Sequence, residues 1–598
     1  MVLVGRLVRD LRSFEGGCSG VLAVERIDGR RSSGWTQVLL RPCPTSPPLQ
    51  AWRVSVEGRL QRPSPGGHPL LSGSAERLAR QGSWTQMQVQ TLSVLHRSKA
   101  PMAAIRRRIA QRFVGAAGDE RGALLAALVL GSAQVSVPDV LRESVRVAGL
   151  SHALAASGFH LSVLLGATLA ITRGRSGAVR VVLAGSALLL FLLLAGPQPS
   201  VVRAVLMGSA ALLIREADHR SHGLGVLLTT LVLMLLLQPA WATSLGFQFS
   251  AAATAGLVLT APAWQEGLSA WLPPRLTWLA SALAVPLAAM AWTLPLQLLH
   301  FGSTPLYALL ANVLAAPLLA PLTLGSISLV PAALVLPQAV FAALVWPLQQ
   351  LAQVLIALVH WISSWPGAQL LTGHPQPSVV LLISLGLLPW LLSLRWSWTL
   401  LGCPLLVLAV VLQLMQQLGD EVIALHRYGQ HWFLARHRGR AALVTSAADQ
   451  RSCDLARRLA VAHGHQTLDW AVLLDSRPTD ALACWQSLAH HVQLPHQGQA
   501  GLSPGQRLAS PGLQVMVLAA RGRSLRLDVG SHRWWLVPSQ QALWGLERTA
   551  LRHPSPTGIW LGFRPSNKQR RHLDRRFPSY LWVATPEPGH FTTRRVGI

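Results

Sequence analysis

The sequence predicts a polytopic α-helical membrane protein with a small β-barrel domain at its start and a soluble α/β domain at its end. Three observations predict it. Hydrophobic residues make up 51% of the 598 and charged residues 13%, too apolar a balance for a soluble chain of this length. The charges crowd before about Arg121 and after about Gly419, which marks both ends as water-exposed. Between them lie roughly ten apolar stretches, each near the ~20 residues that a crossing helix needs.

Residues 1–97 read as the β domain. Short alternating runs, Val2 to Val8, Gly20 to Ile27, Trp35 to Leu40 and Trp52 to Leu60, are separated by Gly, Pro and Ser turns, which suits a five-stranded barrel of the OB type. Residues 98–121 form a linker whose segment PMAAIRRRIAQRFV has the pattern of an amphipathic basic helix lying on a membrane surface. The start of the chain, MVLVGRLVRDLRSFEGG, has no apolar run of signal-peptide length.

Residues 122–418 hold the apolar stretches, centred near 162, 188, 206, 230, 252, 288, 315, 348, 385 and 408. The proline-rich region from Pro317 to Pro337 suggests an extra or re-entrant segment. Arginines orient the set, because cationic loops stay on the cytoplasmic side. One loop carries Arg173, Arg175 and Arg180, the next but one carries Arg215, His219 and Arg220, and the turn between them, AGPQPS, is uncharged. The same count puts Arg275 and Arg395 inside. An even number of crossings then leaves both soluble ends on the outer face.

Residues 419–598 return to soluble α/β patterning. Strands are expected at Val422 to His426, His431 to Arg436, Ala441 to Thr445, Leu468 to Leu474, Leu513 to Ala519, Ser524 to Val529 and Arg533 to Pro538, with a helix from Cys453 to His463. The five cysteines show no metal-ligand spacing. Cys18 and Cys43 either pair in an oxidising compartment or are two unrelated thiols. The net charge of +28 suits a polyanion or an anionic membrane surface, although basic loops and compositional bias supply it as well.

Polar residues in apolar segments need a reason to be there. His152 and His160 stand eight apart, near one face if the helix is continuous, while Ser157 and Gly158 allow close helix approach. Helix-packing glue is the plainer reading of this group. Arg203 follows Pro199-Ser200 at a helix start and must face water or a partner, unless it snorkels from the helix end. Gln248, Gln297, His300 and Asn312 pose the same question more weakly.

Several of these segments together resemble the ComEC-type DNA internalisation proteins of naturally transformable bacteria. GLSHALAASGFHLSVLLG at 149–166 resembles that family's His-x-x-x-x-Ser-Gly-x-His segment through His152, Ser157, Gly158 and His160. PSVVRAVLMGSAALLIREADHRSHGLGVLL at 199–228 is similar to its Arg-Ala-x-x-Met helix and following basic loop. QPAWATSLGFQFSAAATAGL at 238–257 resembles its Gly-Phe-Gln-Leu-Ser span, with Phe249 in place of leucine, and STPLYALLANVLAAPLLAP at 303–321 resembles its Asn-x-x-x-x-Pro segment. VSVEGRLQRPSPGGHP at 54–69 is similar to the family's extracellular OB-like domain.

The resemblance implies a multi-pass channel of the bacterial inner membrane that passes single-stranded DNA to the cytoplasm during natural transformation. It needs no cofactor. Its partners would be the DNA strand, membrane lipid, an extracytoplasmic DNA receptor and a cytoplasmic helicase-type motor or DNA-processing proteins. A polyanion crossing a low-dielectric slab needs a wet, polar path, for which His152, Ser157, Gly158, His160, Arg203, Gln248, Gln297 and Asn312 are the candidates. No Walker A motif is present, so a separate motor or a proton gradient must supply the work.

Two departures follow. Many family members end in a metallo-β-lactamase-like domain whose ligands lie in a Thr-His-x-Asp/His-x-Asp-His loop. Here the matching loop reads Asp475-Ser476-Arg477-Pro478-Thr479-Asp480-Ala481, keeping only Asp480, and a later His-His-Gly-Ser match falls on Phe563-Arg564-Pro565-Ser566. A degenerate domain without hydrolytic metal chemistry is expected. Its Lys568, Arg570, Arg571, Arg575 and Arg576 either hold DNA or form a solvated basic face. Family members also carry one or two spans ahead of the OB-like domain, so either the start codon lies upstream or the following segments export it. A membrane-anchored nuclease and a transporter of a smaller anion are the alternatives.

Overall fold

The computed structural model describes every residue except 15, 218–221, 393–395, 475–480, 495–504, 520–523, 550–554, 578–579, 585–588 and 594–598. The expected sites at His219, Arg220, Arg395 and Asp480 therefore lie outside the described residues. Near the start, strands Val2–Leu7, Gly17–Ile27, Arg30–Leu40, Arg53–Gln61 and Ser83–His96 close into a five-stranded barrel. The first pairs with both the second and the fourth, and the third runs parallel to the fifth. Alternation turns Leu3, Leu22, Val38, Val54, Val56 and Met87 inward. Cys18 and Cys43 are joined, with Cα atoms 5.1 Å apart.

The ten apolar centres all fall within helices, from Gly158–Ile171 to Trp396–Leu418. Among the described residues five are long and apolar enough to cross a membrane: Gly177–Ala195, Pro274–Phe301, Ala308–Ser328, Gln338–Ser363 and Thr399–Leu418. Leu245–Leu259 and Ala261–Trp271, bent by 48°, add a sixth if they are one span. Gly158–Ile171, Gly223–Leu237 and Pro377–Leu391 are shorter than expected, reaching about 21–23 Å against a hydrocarbon core of about 30 Å. Pro317 and Pro321 sit inside one continuous helix, and the extra segment in that region is the short helix Val330–Val335.

The basic helix, Pro101–Ala117, has a protein neighbour where a lipid surface was expected. It folds back on Asp119–Leu130, and Ile109, Phe113 and Ala117 join the main core of the bundle. Gly122 makes the contact close, since a Cβ there would lie 2.5 Å from the Phe113 carbonyl oxygen. Its arginines finish other helices. Arg106 donates to the Leu193 carbonyl, and Arg112 to those of Ala333 and Leu336, all at or near helix C-termini.

The C-terminal domain is a four-layer sandwich. Two six-stranded sheets face each other across Ala424, Phe433, Val444, Leu527, Trp534 and Trp560. Helices Gln450–Ala462 and Leu482–Leu488 cover one outer face, and Gln540–Thr549 and Asn567–Arg576 the other. Cys453 and Cys484 are joined, tying the first two helices together. Both soluble domains sit at one end of the bundle. Asp10 pairs with Arg107 at 2.8 Å, Arg12 donates to Ala133, and His374 bridges the Leu299 and Ala462 carbonyls. Leu71 of the N-terminal domain is packed into the helix-covered core of the C-terminal one. Arg180 and Glu216, 2.9 Å apart, lie at the opposite end of the helix Gly177–Ala195, with Arg173 and Arg175 beside them in sequence.

Candidate functional site

The helix Pro199–Glu216 opens on proline at its first turn, where a missing N–H costs nothing. Arg203 follows one turn later and is 8% exposed. Its Nε donates to Ser250 Oγ at 2.6 Å and its Nη1 to Thr254 Oγ1, both on the helix Leu245–Leu259. Thr254 spends its own hydroxyl proton on the Ser250 carbonyl at 2.8 Å, which leaves its lone pairs for the guanidinium. Among the described residues no carboxylate is paired with Arg203. A charge held between helices by neutral groups alone is the unusual feature of this bundle.

The segment opposite is not the continuous helix that the His152–His160 spacing requires. Helix Ser151–Leu154 ends, Ala155 and Ser157 are extended, and a new helix starts at Gly158. Glycine beside a serine lets the chain break there, so His152 is exposed while His160 is buried. Ser157 Oγ lies 3.0 Å from His160 Nδ1, and His160 Nε2 is buried without a partner. Ser200 donates to the Ala156 carbonyl, and a Cβ at Gly158 would stand 3.3 Å from Arg203 Nη2. Ser157, Gly158, His160 and Arg203 thus meet around the break.

A second polar group lies nearer the soluble domains. Gln248 Oε1 and His300 Nε2 are 2.9 Å apart, and Gln297 donates to Thr293 and accepts from Thr304. Phe249 stacks on Phe301 beside them. Arg80 of the N-terminal domain lies within electrostatic range of His300. Gln248, Ser250 and Thr254 share one helix but not one face: Ser250 and Thr254 turn to Arg203, and Gln248 turns to His300 on Thr277–Phe301, so the helix carries a polar group on each of two sides. Asn312 joins neither group, bonded to the Ala308 carbonyl of its own helix.

The basic helix Asn567–Arg576 is anchored by Leu573 and turns Lys568, Arg570, Arg571 and Arg575 to solvent, with Arg576 over the Phe577 ring. It lies on the sandwich face away from Leu71. Sequence reasoning missed Ser250 and Thr254, whose only signal was small hydroxyl residues four apart in an apolar helix. It also missed a buried junction where Arg436 pairs with Glu421 at 3.0 Å and donates to His465, beside the Gln417 carbonyl that ends the last apolar helix. Burial first, then the Arg436 charge, lowers His465 to about 4.

Residues 128–397 match the family model described as Competence protein. The chain is 28% identical over 254 residues to the uncharacterized protein YcaI of Escherichia coli, covering 39% of this chain and 32% of that one. It is 24% identical over 271 residues to ComE operon protein 3 of Bacillus subtilis, covering 44% of this chain and 33% of that one. The chain thus aligns with about a third of the length of the curated relatives it matches. No solved structure matches it. The matched span contains the chain break at Gly158, Arg203 and the Gln248 helix, and over those residues the chain is similar to competence proteins of the ComEC type.

Proposed function

We propose that the protein conducts single-stranded DNA across the bacterial inner membrane to the cytoplasm during natural transformation, with the polar group around Arg203 as part of the path. The observation that carries this reading is the Arg203 guanidinium, with which no carboxylate is paired among the described residues. Ser250 and Thr254 hold its donors in place, and phosphate oxygens are the natural replacements for those hydroxyls. Arg203 and His160 are covered in this structure, so passage requires the helices Pro199–Glu216 and Leu245–Leu259 to part. The bend after Leu259 supplies a place for that movement.

Other features support the reading. The barrel's strand order, with its parallel third and fifth strands, supports an OB-like domain, a fold suited to single strands. Disulfides in both soluble domains support an oxidising, extracytoplasmic location, and the basic ends at the far side support the matching orientation. The four-layer sandwich supports kinship with metallo-β-lactamase-like domains. We read it as non-hydrolytic, since the matching loop keeps only Asp480.

The test is complementation of a deletion strain. Arg203→Ala is expected to lower transformation at least about tenfold, the equivalent of one lost charge-assisted contact, while labelled DNA still accumulates outside the cell. Arg203→Lys restores charge without the fork and should recover only part of the activity. Normal transformation in the deletion strain, or full activity of Arg203→Ala at normal protein levels, overturns the proposal.

A further inference from the structure

We infer that Tyr428 and the arginines around it form a stacking platform for single-stranded DNA, shared by the two soluble domains; this rests on the DNA-uptake reading above. Strands Glu421–Arg427 and Gln430–His437 are joined by Tyr428 and Gly429 alone, both with positive φ, 53° and 72°. A two-residue turn of this kind favours Asn-Gly, and a bulky side chain in the left-handed region is strained. Burial does not compensate, because Tyr428 is 72% exposed. A residue that opposes local preference and stays in solvent marks a functional position.

The neighbours define the ligand. Arg427 lies over the Tyr428 ring at 4.8 Å from the centroid and donates to Ser64 of the N-terminal domain at 2.9 Å, while its Nε is buried without a partner. The Tyr428 hydroxyl is also 2.9 Å from Ser64 Oγ, fixing the ring across the domain junction. Ser64 contacts Ser74, which opens the short helix bearing Arg77, and Arg458 comes from the C-terminal helix Gln450–Ala462. Burial first, then the charges of Arg77 and Arg427, hold the Arg458 guanidinium below the ordinary arginine value, with Asp454 opposing. Glu76 is taken up by the Gly66 and Gly73 N–H groups, and Asp454, which also accepts from Gln450, is the carboxylate set against the Arg458 charge.

An exposed ring amid surplus guanidinium groups suits a ligand with both a flat apolar face and phosphates. Single-stranded DNA has both. A duplex keeps its base faces stacked, and a lipid headgroup has none.

The test uses the full chain in lipid nanodiscs and a short fluorescent oligothymidylate, read by anisotropy. Tyr428→Asn removes the ring but suits the turn, so thermal stability should hold or rise while affinity falls at least about fivefold, the low end for one stacked base. Tyr428→Phe, which keeps the ring and loses only the hydroxyl's bonds to Ser64 and Arg427, should bind within about twofold of wild type. Unchanged affinity in Tyr428→Asn, or equal competition by duplex of the same length, overturns the platform and leaves the uptake reading standing. Failure of the wild-type protein to bind the oligonucleotide overturns both.

Discussion

Two buried imidazoles make the C-terminal domain sensitive to acid. His465 accepts from Arg436, and His431, also lowered to about 4 by burial first and then by His426, lies 2.8 Å from it, nitrogen to nitrogen. Unfolded histidines take a proton near 6.5, so between about pH 6.5 and 4 the unfolded chain binds more protons than the folded one. Stability from these groups is complete above that window and declines as pH falls through it, on the order of 1.4 kcal/mol per pH unit for each. Unfolding followed through the buried tryptophans should show this slope, and His465→Gln, which keeps an acceptor for Arg436, should make it shallower. At this scale the sequence was legible where a residue violated its surroundings, as Arg203 did in an apolar run. It was illegible where the side chain was ordinary: Ser250 and Thr254 gain meaning only from the guanidinium between them. The His152–His160 reading failed because spacing defines a face only on an unbroken helix.

At the scale of elements, apolar length located all ten predicted helix centres, because a bilayer-sized hydrophobic run has few other uses. The helix Asp119–Leu130 escaped, being only 12 residues long. An amphipathic pattern reports an apolar face but not what covers it, which is why Pro101–Ala117 was assigned to lipid although its neighbour is the bundle. That packing can be tested. Gly122→Leu must push a side chain against the backbone of Phe113 and Val114, which cannot move as a side-chain tip would, and should cost about 1–3 kcal/mol in thermal or denaturant unfolding. An unchanged midpoint would show that the two helices do not pack as described. The fifth barrel strand, Ser83–His96, was missed because it alternates largely among polar residues.

The whole molecule carries its two soluble domains together, away from the arginine-rich loop after Ile171. Single cysteines at Ser98 and Ser555, in a background without Cys403, should react with a membrane-impermeant maleimide in intact spheroplasts. A cysteine at Gly174 should react only after permeabilisation. Labelling of Ser98 and Ser555 from opposite sides would contradict the Ser64–Tyr428 and Leu71 contacts. That the soluble domains lie away from the basic loops was readable from arginine placement. That the domains touch was not, because their contact depends on single residues, Ser64, Leu71 and Tyr428, with no periodic signal.

The seating of Leu71 in the C-terminal core has a mechanical side. The β-barrel and the four-layer sandwich grip each other over one rim of the helical assembly, like the two halves of a buckle. While it stays fastened, that rim resists spreading, and any widening between helices is greatest toward the other rim, so the assembly would splay as a pair of compasses does about its joint.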